Sequence, residues 1–258
     1  MARYVPVSRT THASKAWRRV PNFLFAAKEP LMPVVAAEFS RVAAWMPIAF
    51  VEQAGQYVPV AMMCPMPGHN LFVGPEGQWL GGYIPASLRA YPFALVRREG
   101  SEQAILCVDD DSGLVVDADA GGEAFFGADG GPSAALAPLM DFMTRLQGSR
   151  TGTDLAMAAL AEAGVIEQWP FEVQFNERKT SIDALYRVNE AALAGLDDAA
   201  FLRLRKSGAL PLAYAQLLSM GQNARFDQLL RLRQQLQTSR FALDEIFKGN
   251  GGDTLKFD

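Results

Sequence analysis

The hydrophobic pattern of this chain changes near residue 131, and that change limits the folds available to it. Residues 47–110 hold short apolar runs separated by turn residues, as in "IAFVEQAGQYVPVAMM", where a Gln-Ala-Gly turn at 53–55 joins two such runs. Short apolar runs bounded by turn residues predict strands of an antiparallel sheet. Beyond residue 132 the apolar residues recur mostly at helical spacing. The pattern predicts an α+β protein, with a strand-rich amino-terminal part packed against a mainly helical carboxy-terminal part.

Three segments follow from this change. Residues 1–131 form the strand-rich core, and residues 132–240 form the mainly helical part, which includes one hairpin beginning with the alternating stretch "FEVQF". Residues 241–258 are predicted to be a flexible carboxy-terminal tail. In the helical part we expect separate helices over residues 133–146 and 154–163. Asp197 is a further local signal, because its carboxylate can cap the start of a helix.

Charge and composition exclude several classes of protein. The chain carries 28 acidic and 24 basic residues, and this balance argues against nucleic-acid binding, which needs a clustered basic face. Its apolar runs are much shorter than the ~20 residues of a membrane helix, and its first residues lack the apolar core of a signal peptide. Cys64 and Cys107 lie in apolar runs, where a reduced cysteine packs as a small hydrophobe. We therefore expect a cytoplasmic protein without a membrane span.

Three consecutive acids, Asp109 to Asp111, end the apolar run "ILCV". A calcium loop needs acids at alternate positions and a Glu at its twelfth residue, which this segment lacks. Neighbouring side chains on a strand point to opposite faces, so only Asp109 and Asp111 would converge. We predict a solvated strand end without a structural metal. The alternative is a magnesium or acid–base role for Asp109 and Asp111.

The sequence offers few other groups for catalysis. Its two histidines, His12 and His69, lack the spacing of zinc ligands, and no nucleophile elbow is present. Phosphate-binding and dinucleotide-binding motifs are also missing, so no cofactor is predicted. His69 lies in the loop "PMPGHNLFV", and loops often carry function. An enzyme built on this chain would use His69 together with Asp109.

Aromatic residues concentrate in "NLFVGPEGQWLGGYIPASLRAYPF", residues 70–93, which we call the aromatic block. Tyr, Trp and Arg are enriched at recognition hot spots. This composition predicts a binding surface formed by Trp79, Tyr83 and Tyr91, with Asn70 and Arg89 at its rim. The alternative is that the aromatic side chains fill the core of a sheet.

The last residues, "TLKFD", alternate like a strand. Such a segment can add to an exposed sheet edge, with Leu255 and Phe257 docked in apolar pockets and Lys256 in solvent. That edge could belong to a partner, to a second copy in a homodimer, or to the chain's own sheet. A frayed terminus is the competing interpretation.

Ordered blocks along most of the chain resemble the SapC family. They include "VPVSRTTH", "FLFAAKEPLMPVVAAEF", the aromatic block with its preceding Gly-His, "LCVDDDSGLV", "LYRVNEAAL" and "LPLAYAQLLSMGQNARF". The block around "GHNLFVGPEGQWLGGYIPASLRAYPF" is the most specific of them. The resemblance covers nearly the full length and brings no catalytic residues with it.

The resemblance implies an accessory role. SapC-like proteins are described beside TonB-dependent receptors, halogenase-like proteins and cupin-like oxygenases, which links them to nutrient uptake or to the modification of a receptor or peptide. We therefore expect a non-enzymatic accessory or adaptor protein that binds a protein or peptide partner. The alternative is an oxygenase-associated or hydrolytic enzyme that uses the acid and histidine named above.

Overall fold

The chain folds as an α+β protein in a computed structural model that describes residues 3–97, 104–175, 178–182 and 184–249. Its first nine strands are β1 (Tyr4–Pro6), β2 (Lys15–Trp17), β3 (Leu31–Pro33), β4 (Ile48–Gln53), β5 (Gln56–Met62), β6 (Phe93–Arg97), β7 (Ala104–Asp109), β8 (Val115–Asp117) and β9 (Glu123–Ala124). Four more follow, β10 (Ile166–Gln168), β11 (Phe171–Phe175), β12 (Arg178–Ile182) and β13 (Tyr186–Val188). The predicted fold class is confirmed.

Short helices lie between the strands, and longer helices predominate after residue 135. They are α1 (Arg9–His12), α2 (Phe39–Ala43), α3 (Ala86–Ala90), α4 (Leu136–Glu162), α5 (Glu190–Ala194), α6 (Asp198–Lys206), α7 (Ala209–Ser219) and α8 (Arg225–Gly249). Asp197 caps α6 as predicted, because its Oδ1 accepts the backbone N–H of Ala200 at 2.7 Å. Among the described residues no helix is both long and apolar enough to cross a bilayer.

The strands form four antiparallel sheets. The largest has the order β10-β13-β4-β5-β3, and two three-stranded sheets have the orders β1-β7-β6 and β8-β2-β9. β11 and β12 form a hairpin of their own, as the alternation at 171–175 predicts. In the largest sheet Tyr186 pairs with Phe50, so the carboxy-terminal part contributes strands to the amino-terminal sheet. The two parts are thus joined by strand pairing as well as by packing.

The two strands predicted in "IAFVEQAGQYVPVAMM" form a hairpin, β4 with β5, in which Gln53 pairs with Gln56 across the turn. Ala54 and Gly55 both adopt positive φ, at 51° and 77°. This backbone geometry is that of the tight turns whose twist matches the twist of the flanking strands.

The prediction of two helices over 133–146 and 154–163 is wrong, because α4 runs without interruption through Gly148 and Gly152. Contacts from another part of the chain explain the continuity. Oγ1 of Thr153 accepts the backbone N–H of Ala36 at 2.8 Å and donates to the carbonyl of Ser149 at 2.7 Å. A glycine costs a helix only about 1 kcal/mol, so such tertiary contacts outweigh it.

Among the described residues, two clusters of buried side chains form the core. The larger lies between the five-stranded sheet and helices α2, α4 and α7, with Phe50, Met157 and Leu212 among its members. The smaller includes Trp17 and Phe93, whose rings meet edge to face at 5.1 Å. The smaller cluster supports the groove described below.

Helix α8 continues to Gly249, past residue 241, where the predicted tail begins. The helix is tied to the aromatic block in its third turn, by Arg233. Nη1 of Arg233 donates to the carbonyls of Asn70 and Val73, at 2.5 Å and 2.7 Å. Burial lowers the pKa of this guanidinium. The anchor holds this part of α8 against the aromatic block.

Candidate binding groove

An open groove of about 490 Å³ lies between the segment that follows β2, helix α3 and the first turns of α4. Its walls are mainly aromatic and aliphatic. Leu139 and Phe142, three residues apart on α4, present one helical face to it, and Trp17, Phe23 and Phe93 line it from other segments. A concave apolar surface of this size is typical of a ligand or peptide site.

Arg89 lies exposed at the rim, and its guanidinium is held in place on two sides. Its central carbon lies 4.9 Å from the ring centre of Phe142 and 5.6 Å from that of Tyr83. Its Nε donates to the carbonyl of Ile84 at 3.1 Å, and its Nη2 donates to the hydroxyl of Tyr83 at 3.3 Å. These contacts orient the charged group without neutralising it, since Arg89 pairs with no carboxylate of the described chain.

Glu38 organises the structure behind Arg89. Its buried Oε1 accepts the hydroxyl of Tyr83 at 2.9 Å and the backbone N–H of Ala86, at the start of α3, at 2.7 Å. Burial raises the pKa of Tyr83 to about 12, and the nearby Glu38 acts in the same direction. The neutral phenol therefore bridges Glu38 to Arg89, and the carboxylate fixes the short helix that carries Arg89.

Trp79 supports the groove from behind. Its ring stacks on Phe72 with centres 5.5 Å apart and lies 5.3 Å from the ring of Phe23, which lines the groove. Its Nε1 donates to the carbonyl of Tyr83 at 2.9 Å. Trp79 therefore packs as a structural residue, while Arg89 is presented to solvent.

Tyr91 forms part of the groove wall. Its ring lies parallel to that of Phe25, with centres 4.0 Å apart, and its hydroxyl donates to Oδ2 of Asp109 at 3.0 Å. Burial raises the pKa of Tyr91 to about 12, and the hydrogen bond to Asp109 adds to that effect. The structure thus brings the aromatic block and the aspartate run together.

The three aspartates end a strand as predicted, but the expectation of a solvated end is wrong for Asp109. Its side chain is 4% exposed, because the amino-terminal strand and Tyr91 cover it. After Asp109 the backbone turns, and Asp110 and Asp111 both pair with Arg3, at 2.7 Å and 3.0 Å. That turn brings the latter two together, whereas an extended strand would have paired Asp109 with Asp111. Their partner is an arginine of the same chain.

The remaining predicted residues lie elsewhere. His69 is exposed in its loop, and no hydrogen bond in the described part of the chain joins it to Asp109. Asn70 is fully buried, where its amide donates to the carbonyl of Ala26 at 3.0 Å and accepts the N–H of Phe72 at 3.0 Å. Asn70 therefore ties two loops together inside the protein and does not reach the rim.

Sequence reasoning missed several residues of the groove. Leu139 and Phe142 belong to a predicted helix, but nothing local shows which surface that helix covers. Arg19 lines the groove beside an exposed ion pair with Glu123, whose charged atoms are 3.6 Å apart. Glu38 had a usable signal, because a single acid in the run "VVAAEFSRVAAW" is a candidate for a buried, hydrogen-bonded carboxylate.

Metal-binding and redox groups are sparse in the described residues. They contain no group of three or more His, Cys, Asp or Glu side chains that could hold a metal ion. Cys64 and Cys107 are buried and unbridged, and burial raises the pKa of each thiol. Leu255 and Phe257 lie outside the described residues, so their docking stays a prediction.

Comparison with known proteins yields one match. A sequence model of the SapC family matches residues 7–226, which include every residue of the groove. No curated protein and no solved structure matches the chain.

Proposed function

The chain belongs to the SapC family, and on that premise we propose that it is a non-enzymatic accessory protein whose groove binds a protein or peptide partner. The family resemblance suggests where such a partner belongs, in TonB-receptor-linked uptake or in peptide modification beside halogenase-like or cupin-like proteins. The proposed setting is the cytoplasm, where two buried, unbridged thiols would remain reduced.

One observation carries the proposal. Arg89 stands exposed beside an apolar groove, its plane held by two aromatic rings and its charge unpaired within the described chain. Interface hot spots combine these elements, an oriented Arg and aromatic anchors around a pocket for a bulky side chain. The groove residues do not include a nucleophile paired with a base, which an enzyme of the hydrolytic class would need.

The enzyme alternative receives no support from geometry. Asp109 is 4% exposed, and its oxygens accept the backbone N–H of Arg3 and the hydroxyl of Tyr91. No hydrogen bond among the described residues joins it to His69, so the acid–histidine pair that the alternative needs is not formed. We therefore do not propose catalysis by Asp109 and His69.

Peptide selection with a blocked groove tests the binding function. Random peptides displayed on phage are selected on the full-length protein. The affinities of the selected peptides for the wild type, Ala134→Trp and Ala137→Trp are then measured. Ala134 is exposed and lines the groove, so a Trp there fills it, whereas Ala137 is exposed and lies outside the lining. We expect the selected peptides to bind the wild type and Ala137→Trp with the same affinity. Their affinity for Ala134→Trp should be lower by about 10-fold or more.

Two further variants separate binding from stability. Arg89→Ala should weaken the binding of the selected peptides. It should change the free energy of unfolding by less than about 1 kcal/mol, because Arg89 is exposed. Trp79→Ala should destabilise by about 3 kcal/mol, since it removes a ring packed on Phe72 and Phe23. Peptides that bind Ala134→Trp as tightly as the wild type would rule out the groove as the binding site.

A further inference from the structure

The charge at the groove defines the kind of segment it fits. Its charged lining residues, among those described, are two arginines, Arg19 and Arg89. The hydrogen bonds of Arg89 use Nε and Nη2, so its Nη1 remains for a ligand. Arg19 is 77% exposed and only loosely paired with Glu123, so its pairing is easily exchanged. The complementary ligand is a bulky apolar side chain with a carboxylate beside it.

The chain itself carries such a segment. Residues 250–258, which we call the terminal segment, lie outside the described residues and read "NGGDTLKFD". Phe257 is directly followed by Asp258, and Leu255 lies two positions before it. This order of residues matches the groove, with an aromatic ring for the apolar walls and a carboxylate for Arg89.

The terminal segment is about as long as the part of α8 that follows its anchor. Helix α8 runs from its anchor at Arg233 to Gly249, about 24 Å at 1.5 Å per residue. Residues 250–257 add up to ~26 Å when extended. The anchored turn of α8 bonds to Asn70 and Val73, and the same loop reaches the groove through Trp79 and Phe23. Folded back along α8, the terminal segment would bring residue 257 level with Arg233, beside the loop that borders the groove.

From these observations we propose that the terminal segment occupies the groove, with Phe257 between the aromatic walls and Asp258 paired with Arg89. This inference rests on the proposed binding function and adds its regulation. A tethered segment competes with any partner peptide, because the apparent affinity for the partner falls in proportion to the fraction of grooves left free. The partner then shares the acidic, aromatic character of the terminal segment.

Photo-crosslinking in the full-length protein tests the location. The photoreactive residue p-benzoylphenylalanine replaces Phe257, and mass spectrometry identifies the residues that it joins. We expect crosslinks to groove residues such as Leu139 and Phe142, and we expect Ala134→Trp but not Ala137→Trp to abolish them. Mixing protein labelled with ¹⁵N and unlabelled protein shows whether the joined residues belong to one copy or to two; crosslinks within one copy support the proposal, and crosslinks between copies overturn it. Crosslinks that map elsewhere, or that survive Ala134→Trp, overturn it.

A binding measurement tests the competition. A fluorescent peptide of residues 250–258, amidated at its end, is titrated with wild-type protein and with Phe257→Ala. If the terminal segment occupies the groove in nine of ten wild-type molecules, the peptide binds Phe257→Ala about 10-fold more tightly than it binds the wild type. Lys256→Ala is the matched control and should leave the affinity unchanged. Equal affinity for wild type and Phe257→Ala overturns the proposal.

The two proposals fail in different ways. If selected peptides bind through the groove while the crosslinks from residue 257 map elsewhere, the binding function stands and the terminal segment is not its occupant. If the peptides also ignore Ala134→Trp, both proposals fall.

Discussion

The hydroxyl of Tyr91 donates a hydrogen bond to Oδ2 of Asp109 across 3.0 Å. This bond links the wall of the groove to the end of β7, two features that stand apart in the sequence. The other carboxylate oxygen accepts the backbone N–H of Arg3 at 3.0 Å, which attaches the amino-terminal strand to the same point. Asp109 is therefore a structural carboxylate that holds three segments together.

Substitutions in the aspartate run should affect stability differently at the buried Asp109 and the exposed Asp111. Asp109→Ala removes the acceptor of two hydrogen bonds and leaves the N–H of Arg3 and the hydroxyl of Tyr91 without it, so we expect a loss of about 2 kcal/mol in the free energy of unfolding. Asp111→Ala removes only one exposed pairing to Arg3 and should change the free energy of unfolding by less than about 0.5 kcal/mol. Urea denaturation of the two variants measures the difference, and equal effects would contradict the structural role of Asp109.

The raised pKa values of Tyr91 and Tyr83, each about 12, predict a loss of stability in alkali. A tyrosine in the unfolded chain titrates near ~10, so between pH ~10 and ~12 the folded state holds more protons than the unfolded state. Stability from these groups is complete below pH ~10 and declines as the pH rises through this window. Urea midpoints measured at several pH values should decline less steeply for Tyr91→Phe than for the wild type. Parallel curves would argue against the raised pKa.

Gln216 should be essential for joining the two parts of the chain. Its Nε2 donates to the carbonyl of Ile48 at 3.1 Å, and its Oε1 accepts the N–H of Val188 at 3.0 Å, all within the core. Gln216→Leu leaves two buried backbone groups unpaired, and we expect a loss of roughly 2–5 kcal/mol. Leu218→Gln on the same helix is the control, because Leu218 is 77% exposed and its substitution should cost less than about 0.5 kcal/mol. A Gln216→Leu protein as stable as its control would show that these bonds contribute little.

Alanine substitutions test the continuity of α4. A Cβ added at Gly148 or Gly152 meets no atom within 4 Å. In an unbroken helix each change to Ala should therefore stabilise by about 0.5–1 kcal/mol, because Gly loses more backbone entropy on folding. Thermal melting would show this as a rise of ~1–4 °C for each variant. Gly55→Ala should do the opposite, since Gly55 has a φ of 77° at the turn between β4 and β5. A fall in melting temperature for both helical variants would instead indicate a break in α4.

Local patterns in the sequence determined the elements whose causes are local. The short apolar runs in "IAFVEQ" and "YVPVAM" and the turn between them specified β4 and β5, because both signals depend only on neighbouring residues. Asp197 specified the start of α6 in the same way, since its cap bond spans three residues. The change in pattern near residue 131 determined the α+β class.

Tertiary structure alone decided which residues meet. Thr153 and Ala36 made α4 continuous, Tyr91 and Arg3 enclosed Asp109, and the folding of three separate segments placed Arg19, Arg89 and Phe142 around one groove. Propensity and periodicity act over a few residues and contribute about 1 kcal/mol each, whereas burial and long-range hydrogen bonds depend on distant partners and outweigh them. For that reason the aromatic block was visible in the sequence, but the separation of its exposed Arg89 from its buried Asn70 was not.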